Sequence, residues 1–301
     1  MSLLALLFAL ACERGLTHLL HLREGRWLDP YFDAADRTLG GRTGVVVLLV
    51  AIALVALPVL PVAVVARSLE PHLLGLLQFA FAVLVLLFAF GPRDLKYEVD
   101  DYVGALERHD RDEALRRGKE LLESSPTAHG PAVRAAIEEA IFVQANNRIF
   151  GVVFWFMVLG APGAWAYRVS DMLRRRAAFE AARQGVPRMH GDLGSALALM
   201  HGVLAWVPAR LAALAYAVAG SFEDAVGDWR VAVDRATTGL LDRAEDLLAR
   251  VGKASLQPSL VGVGADRLDV ATARGAWRIV SRALWIWVAA IAVLVLAGAV
   301  D

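Results

Sequence analysis

The sequence predicts an all-α fold, that of a polytopic helical membrane protein, and two observations indicate it. First, 57% of the 301 residues are hydrophobic and the mean hydropathy is +0.51, whereas apolar residues make up roughly 45–50% of ordinary soluble domains. Second, long uncharged runs recur along the chain, and none of them is a short alternating segment of the kind that indicates a strand. We therefore expect helices that are solvated by a lipid bilayer.

Three runs have the length of a membrane span, which needs about 20 helical residues. Residues 44–66 and 71–91 are uncharged and are joined by the short link RSLE, so they predict a tight transmembrane hairpin. Residues 279–300 predict a C-terminal span, with tryptophans near its start that would anchor it at the membrane interface.

Two further apolar segments, 149–167 and 195–220, are interrupted by helix breakers and predict broken or re-entrant membrane helices. Backbone groups freed at membrane depth are tolerated only where protein or a wet cavity satisfies them, so the breaks should face the protein interior. In the second segment we expect two half-helices, the latter beginning near Pro208. The breakers are Gly160, Pro162 and Gly163 in the first segment and Gly202 and Pro208 in the second.

Basic residues are concentrated in the polar loops, which predicts that nearly all of these loops face the cytoplasm. Segment 149–167 either re-enters, which keeps every basic loop inside, or crosses once, which places the following triple arginine outside. The charge bias favours re-entry. The polar stretches 97–124 and 221–251 have helical apolar spacing, and they predict amphipathic helices that lie against the bilayer or against each other.

These segments predict one membrane domain over residues 1–301. Its parts are an N-terminal amphipathic helix and basic loop over 1–43, the transmembrane hairpin over 44–91, cytoplasmic helices over 92–148, broken membrane helices over 149–220, cytoplasmic helices over 221–278 and the C-terminal span over 279–301.

Charge and motif content argue against several classes of function. Lys plus Arg equal Asp plus Glu at 31 each, so nucleic-acid binding is not expected. Cys12 is the only cysteine, so neither an internal disulfide nor a cysteine metal site can form. His18 and His21 share a helix face, but no further ligand follows at a suitable spacing, and we predict no metal. Phosphate-loop and dinucleotide fingerprints are missing as well, so no cofactor is predicted.

Polar residues enter and leave the first broken segment, and they predict a ligand pocket if that segment is a helical hairpin. The alternative is that the arginines extend to the interface and the amides cap a helix. We assign no catalytic residue. The candidate ligand-binding residues are Glu138, Asn147, Arg148, Tyr167, Arg168 and Asp171, together with His201 and Arg210 of the second segment.

Arg210 follows Pro208 in the middle of an apolar segment, where an ionisable side chain needs a partner or a cavity. Two interpretations remain open. Arg210 either contacts an anionic ligand or is held structurally by an internal carboxylate such as Asp171 or Asp192.

Three stretches together resemble a known superfamily: RAAIE at 134–138, FWFMVLGAPGAWAYRVSDM at 154–172 and WVPARL at 206–211. They are similar to the membrane proteins that include the adenosylcobinamide-phosphate synthases of cobalamin biosynthesis (the CbiB/CobD family) and the AmpE family. The resemblance covers most of the chain.

The synthases carry E-N-x-x-D, D-D-x-x-N and S-P-N-x-G signatures, whereas this chain has VQANN at 143–147, HGVLA at 201–205 and no SPN. That departure favours the AmpE branch. It implies a non-catalytic regulator in the bacterial inner membrane, involved in β-lactamase induction and peptidoglycan-recycling signalling. Such a protein would bind a membrane-protein partner or an anionic ligand derived from the cell wall. The alternative is a cobalamin-type amide-forming ligase.

Overall fold

The computed structural model describes residues 2–16, 29–39, 44–69, 75–91, 94–122, 131–184, 192–234, 240–257 and 265–298. Within these ranges every regular element is a helix, which confirms the predicted all-α class. His18 and His21 lie outside the described residues. The α-helices are α1 (Ser2–Leu16), α2 (Asp29–Leu39), α3 (Val45–Leu69), α4 (Gly75–Ala89), α5 (Leu95–Glu107), α6 (Arg111–Leu122), α7 (Pro131–Ala145), α8 (Gly151–Gln184), α9 (Leu193–Ala219), α10 (Phe222–Asp234), α11 (Leu240–Leu256) and α12 (Ala265–Leu296).

Four helical stretches among the described residues are long and apolar enough to cross a bilayer, which fits the predicted polytopic membrane protein. The first lies in the predicted hairpin, and the last includes residues 279–296 of the predicted C-terminal span. Helix α4 is also apolar, but its described part has only 15 residues. The four stretches are Val45–Leu69, Ala135–Arg183, Leu193–Ala219 and Leu268–Leu296.

The chain divides into two compact units. The first unit comprises Met1–Pro92, Asn147–Leu204 and Val295–Asp301, and the second comprises Arg93–Asn146 and Ala205–Leu294. In the first unit, α8 packs against α3 and α4, and α1 packs against α4. In the second unit, α11 packs against α7 and α10, and α5, α6 and α7 pack together.

The amphipathic helices that the sequence predicts are present in the second unit. Leu247, Leu248 and Val251 of α11 are buried, and their spacing places them on one face of a helix. The stretch predicted at 97–124 forms two helices, because the chain turns at His109, which has a φ of 57°. Asp110 then caps α6, its Oδ1 accepting a hydrogen bond from the Glu113 amide at 3.0 Å.

The division predicted at Pro208 is not observed, because α9 continues through this proline for 27 residues. Proline has no N–H, so the carbonyl four residues earlier, that of Leu204, loses its helical donor. The indole nitrogen of Trp155 supplies a replacement, since Nε1 donates to the Leu204 oxygen at 3.0 Å. A side chain from α8 thus satisfies the group that the proline exposes.

The carbonyl that Pro58 frees inside α3 is also satisfied by a side chain from another helix. Its missing N–H frees the carbonyl of Leu54, and the Tyr31 hydroxyl of α2 donates to that oxygen at 3.2 Å. Burial raises the pKa of Tyr31, so the hydroxyl stays protonated and able to donate. Trp165 donates in addition to the carbonyl of Pro58 itself at 3.1 Å.

We predict that Trp155→Phe destabilises the protein by about 1–3 kcal/mol, because it leaves the Leu204 carbonyl without a donor. In a Pro208→Ala background the amide of residue 208 can donate to that carbonyl again, so the same change should cost clearly less. Unfolding in detergent gives the stability of the wild type, of each single variant and of the double variant. Trp285→Phe is the matched control, since Trp285 is 66% exposed. An equal cost of Trp155→Phe in both backgrounds would contradict the assignment.

Candidate functional site

Gly160 reverses the direction of the chain within α8. Its φ of 67° and ψ of −156° are not helical, and such a φ is readily adopted only by glycine. Gly151 and Tyr167 would stand about 24 Å apart along a straight helix. Instead, a Cβ on Gly151 would overlap the ring of Tyr167. The two arms on either side of Gly160 therefore pack back against each other, which confirms the break predicted here.

The reversal brings the polar residues before and after the apolar segment together. Asn147 and Arg148 lie in a π-helical turn, Asn146–Phe150, and are 2% and 3% exposed. Such wide turns inside α-helices occur frequently at functional sites. The Tyr167 hydroxyl donates to Oδ1 of Asn147 at 3.4 Å. The condition under which the sequence predicted a shared pocket is therefore met for these residues of the first unit.

His201 joins this cluster from α9. Its ring lies 4.9 Å from the Tyr167 ring, centre to centre. Ser170 donates its hydroxyl proton to the Tyr167 carbonyl at 2.7 Å, so its oxygen acts as the acceptor for Nδ1 of His201 at 2.9 Å. We assign the imidazole proton to Nδ1 on this ground. Nε2 then faces Oδ1 of Asp171 at 3.8 Å, too far for a hydrogen bond.

Asp171 is the centre of the cluster and is fully buried. Three arginines on its own helical arm converge on it: Nη1 of Arg168 lies 3.2 Å from Oδ2, Nη2 of Arg174 lies 2.8 Å from Oδ1, and Nη2 of Arg175 lies 2.6 Å from Oδ2. Positions three and four residues apart share a helix face, which allows this convergence.

The arginines differ in exposure, and the difference indicates how an anion would approach. The side chain of Arg168 is 5% exposed, whereas those of Arg174 and Arg175 are 13% and 19% exposed. The outer two therefore form the accessible edge of the cluster. Guanidinium groups match the geometry of phosphate and carboxylate oxygens, so this edge suits an anionic group.

Two candidates belong to the second unit. Glu138 lies on α7 and is half-buried. Arg210 contacts Trp206 in two ways. Its Nη1 donates a hydrogen bond to the Trp206 carbonyl at 2.9 Å, and its guanidinium carbon lies 4.0 Å from the centre of the Trp206 ring. The part of the chain that the structure describes offers no carboxylate partner for Arg210. The internal ion pair expected for it is therefore not observed there.

Sequence reasoning missed Ser170, Arg174 and Arg175. The triple arginine was considered only for its effect on membrane orientation. The signal that could have identified two of these residues is their spacing, since they follow Asp171 by three and four positions.

Comparison with known proteins gives one family and two relatives. The family described as CobD/Cbib protein matches residues 14–240. A protein of Stutzerimonas stutzeri named "Cobalamin biosynthesis protein CobD" is 33% identical over 150 residues, which are 49% of this chain and 47% of that protein. The match thus spans about half of that relative. One of the same name from Chromobacterium violaceum is 29% identical over 244 residues, or 75% of each chain. No solved structure matches.

The expectation of an AmpE-type regulator of β-lactamase induction is wrong. The shared superfamily was identified, but the relatives are named for cobalamin biosynthesis. The absence of the acidic signatures is weaker evidence than the similarity, which extends over three quarters of the chain.

We predict that Asp171→Asn destabilises the protein by about 3–5 kcal/mol, because it leaves buried arginines without their counter-charge. Asp33→Asn is the matched control. Asp33 also pairs with an arginine, its Oδ1 lying 3.1 Å from Nη2 of Arg176, but its side chain is 41% exposed. Exposed pairs contribute about 1 kcal/mol or less. Unfolding in detergent compares the two, and equal losses would count against a central role of Asp171.

A second prediction concerns the close approach of the two arms of α8. Gly151→Ala places a methyl group against the Tyr167 ring and should cost about 1–3 kcal/mol by overpacking. Gly227→Ala in α10 meets nothing within 4 Å and should stabilise by about 0.5–1 kcal/mol. Thermal unfolding of both variants gives the comparison, and an unchanged Gly151→Ala midpoint would argue against the tight hairpin.

Proposed function

Because the chain belongs to the CobD/Cbib protein family, we propose that it acts in cobalamin biosynthesis as an amide-forming ligase of the adenosylcobinamide-phosphate synthase type. The observation that carries the proposal is the family match over residues 14–240, which includes the whole α8 hairpin and the cluster around Asp171. The names of the two relatives support the same process.

The proposed reaction joins the amine of aminopropanol phosphate to a carboxyl group of a corrinoid acid. ATP supplies the driving force: its γ-phosphoryl group passes to the carboxylate, the amine nitrogen attacks the acyl carbon, and phosphate leaves as the nitrogen loses a proton. The products are the amide, ADP and phosphate. The enzyme must therefore hold a phosphate group on the amine substrate and exclude water from the activated acyl group.

The cluster around Asp171 suits the first of these tasks. Arg174 and Arg175 form its accessible edge, and Asp171 fixes both guanidinium groups from within. Phosphate recognition by arginine relies on such a fixed, planar arrangement of donors. In this proposal the two arginines bind the phosphate of the amine substrate, and Asp171 positions them.

The acidic signatures of the related synthases are replaced in this chain. Asn147 and His201 stand in the segments that correspond to two of those signatures, and both lie in the same buried cluster. Glu138 and Asp171 are the acidic groups that remain among the candidates. The proposal therefore assigns substrate binding to the arginines.

We further propose that the protein resides in the bacterial inner membrane with most polar loops on the cytoplasmic side. The Arg-rich loops support this orientation through the positive-inside bias. In this orientation most polar loops face the cytoplasm, which supplies ATP and phosphorylated amines. A membrane-protein partner remains a prediction from the sequence.

The test is ATP-dependent amide formation by the detergent-purified chain from a corrinoid acid and aminopropanol phosphate. We expect Arg174→Gln and Arg175→Gln to raise KM for aminopropanol phosphate by about tenfold or more, since a charge-assisted hydrogen bond is lost. With unphosphorylated aminopropanol the variants should match the wild type.

The outcomes separate two parts of the proposal. No amide product from the wild-type chain would refute the ligase assignment. Product formation with equal losses for both amines in the arginine variants would retain the ligase and remove phosphate recognition from Arg174 and Arg175. Lys253→Gln is a suitable control, because Lys253 pairs with Glu139 at 3.3 Å and is outside the cluster.

A further inference from the structure

A cleft with charged and apolar lining lies entirely within the second unit. It has a volume of about 910 Å³ and lies between the end of α5, the turn at His109 and the first half of α12. None of the residues discussed for amide formation lines it, so the cleft has no role in the proposed function.

Among the residues that the structure describes, the charges along the cleft leave one cation without an acidic partner. Glu107 is paired with Arg274, with 2.7 Å between Oε1 and Nη2. Asp100 is paired with Lys96 at 2.6 Å. Arg278 is exposed and lines the same cleft, yet it has no ion pair among the residues that the structure describes. A ligand that completes the charge balance here would be an anion.

The rest of the cleft is apolar and aromatic. Leu106 and Val270 are half-buried in its wall, and Trp277 presents a half-buried ring beside Arg278. An anion that also has an apolar portion therefore fits both parts of the lining. Tryptophan is enriched at the level of lipid headgroups for the same reason, since its ring is apolar and its N–H is polar.

The position of the cleft along α12 narrows the choice of ligand. Arg278 and Arg282 are the last charged residues of this helix, and Ala283–Leu296 is uncharged. Arginine is costly within hydrocarbon, so the water–lipid boundary falls near these two residues. The cleft thus opens where the phosphate groups of the bilayer lie.

We propose that this cleft binds an anionic phospholipid. Arg278 donates to the lipid phosphate, and Trp277 packs against the glycerol and upper acyl region. The site is independent of amide formation, and its occupancy would fix the depth of α12 in the membrane.

The experiment is native mass spectrometry of the full chain in detergent, titrated with dioleoyl phosphatidylglycerol or with dioleoyl phosphatidylcholine. We expect the wild type to bind phosphatidylglycerol more tightly than phosphatidylcholine. Arg278→Gln should weaken phosphatidylglycerol binding by about tenfold, the loss expected for one charge-assisted contact. The substituted residue is exposed, so the fold should be retained, and a melting curve checks this.

Arg282→Gln is the matched control. Arg282 lies one turn further along α12, does not line the cleft, and places Nη1 3.4 Å from the Ala219 carbonyl. Binding within twofold of the wild type is expected. Equal affinity for the two lipids, equal losses in both arginine variants, or displacement of phosphatidylglycerol by ATP in an Arg278-dependent manner would each overturn the proposal. The last result would assign the cleft to a nucleotide.

Discussion

Every backbone group that a proline or glycine frees inside a membrane helix must find a partner within the protein, because lipid offers none. In the first unit this requirement joins the helices to one another. Tyr31 of α2 donates to the Leu54 carbonyl of α3, and Trp155 of α8 donates to the Leu204 carbonyl of α9. Trp165 also links α8 to α3, through its hydrogen bond to the Pro58 carbonyl. Residues that read as helix breakers are thus attachment points between neighbouring helices.

The same constraint explains why one predicted break was correct and the other was not. At Gly160 the signal is local, because a φ of 67° is accessible to glycine and the chain can reverse there. At Pro208 the outcome depends on Trp155, whose donor lies 49 residues from the carbonyl it satisfies. Sequence predicted the helices, the apolar runs and the amphipathic faces well, since these depend on composition and period. A hydrogen-bond donor that is distant in the sequence, such as Trp155, leaves no signal in composition or period.

Some of the candidate ligand-binding residues lie together in the structure, and others do not. Asn147, Tyr167, Arg168, Asp171 and His201 were expected together and do lie in one buried cluster. The arginines after Asp171 were treated as loop charges, although they complete that cluster. The AmpE function was wrongly favoured because this chain lacks carboxylates that the related synthases carry. A scaffold hosts several chemistries, and here the similarity over most of the chain carried the better information.

The π-helical turn at Asn146–Phe150 has a further consequence, for the phase of the helix that follows it. One additional residue in a turn rotates everything after it by about 100° about the helix axis relative to an uninterrupted α-helix. Asn147 lies inside this wide turn and Gly151 directly follows it, and both residues face Tyr167. Deleting Ile149 would retain every side chain of the candidate site and rotate Asn147 relative to the first arm of α8. The cluster thus depends on a residue count as much as on residue identity.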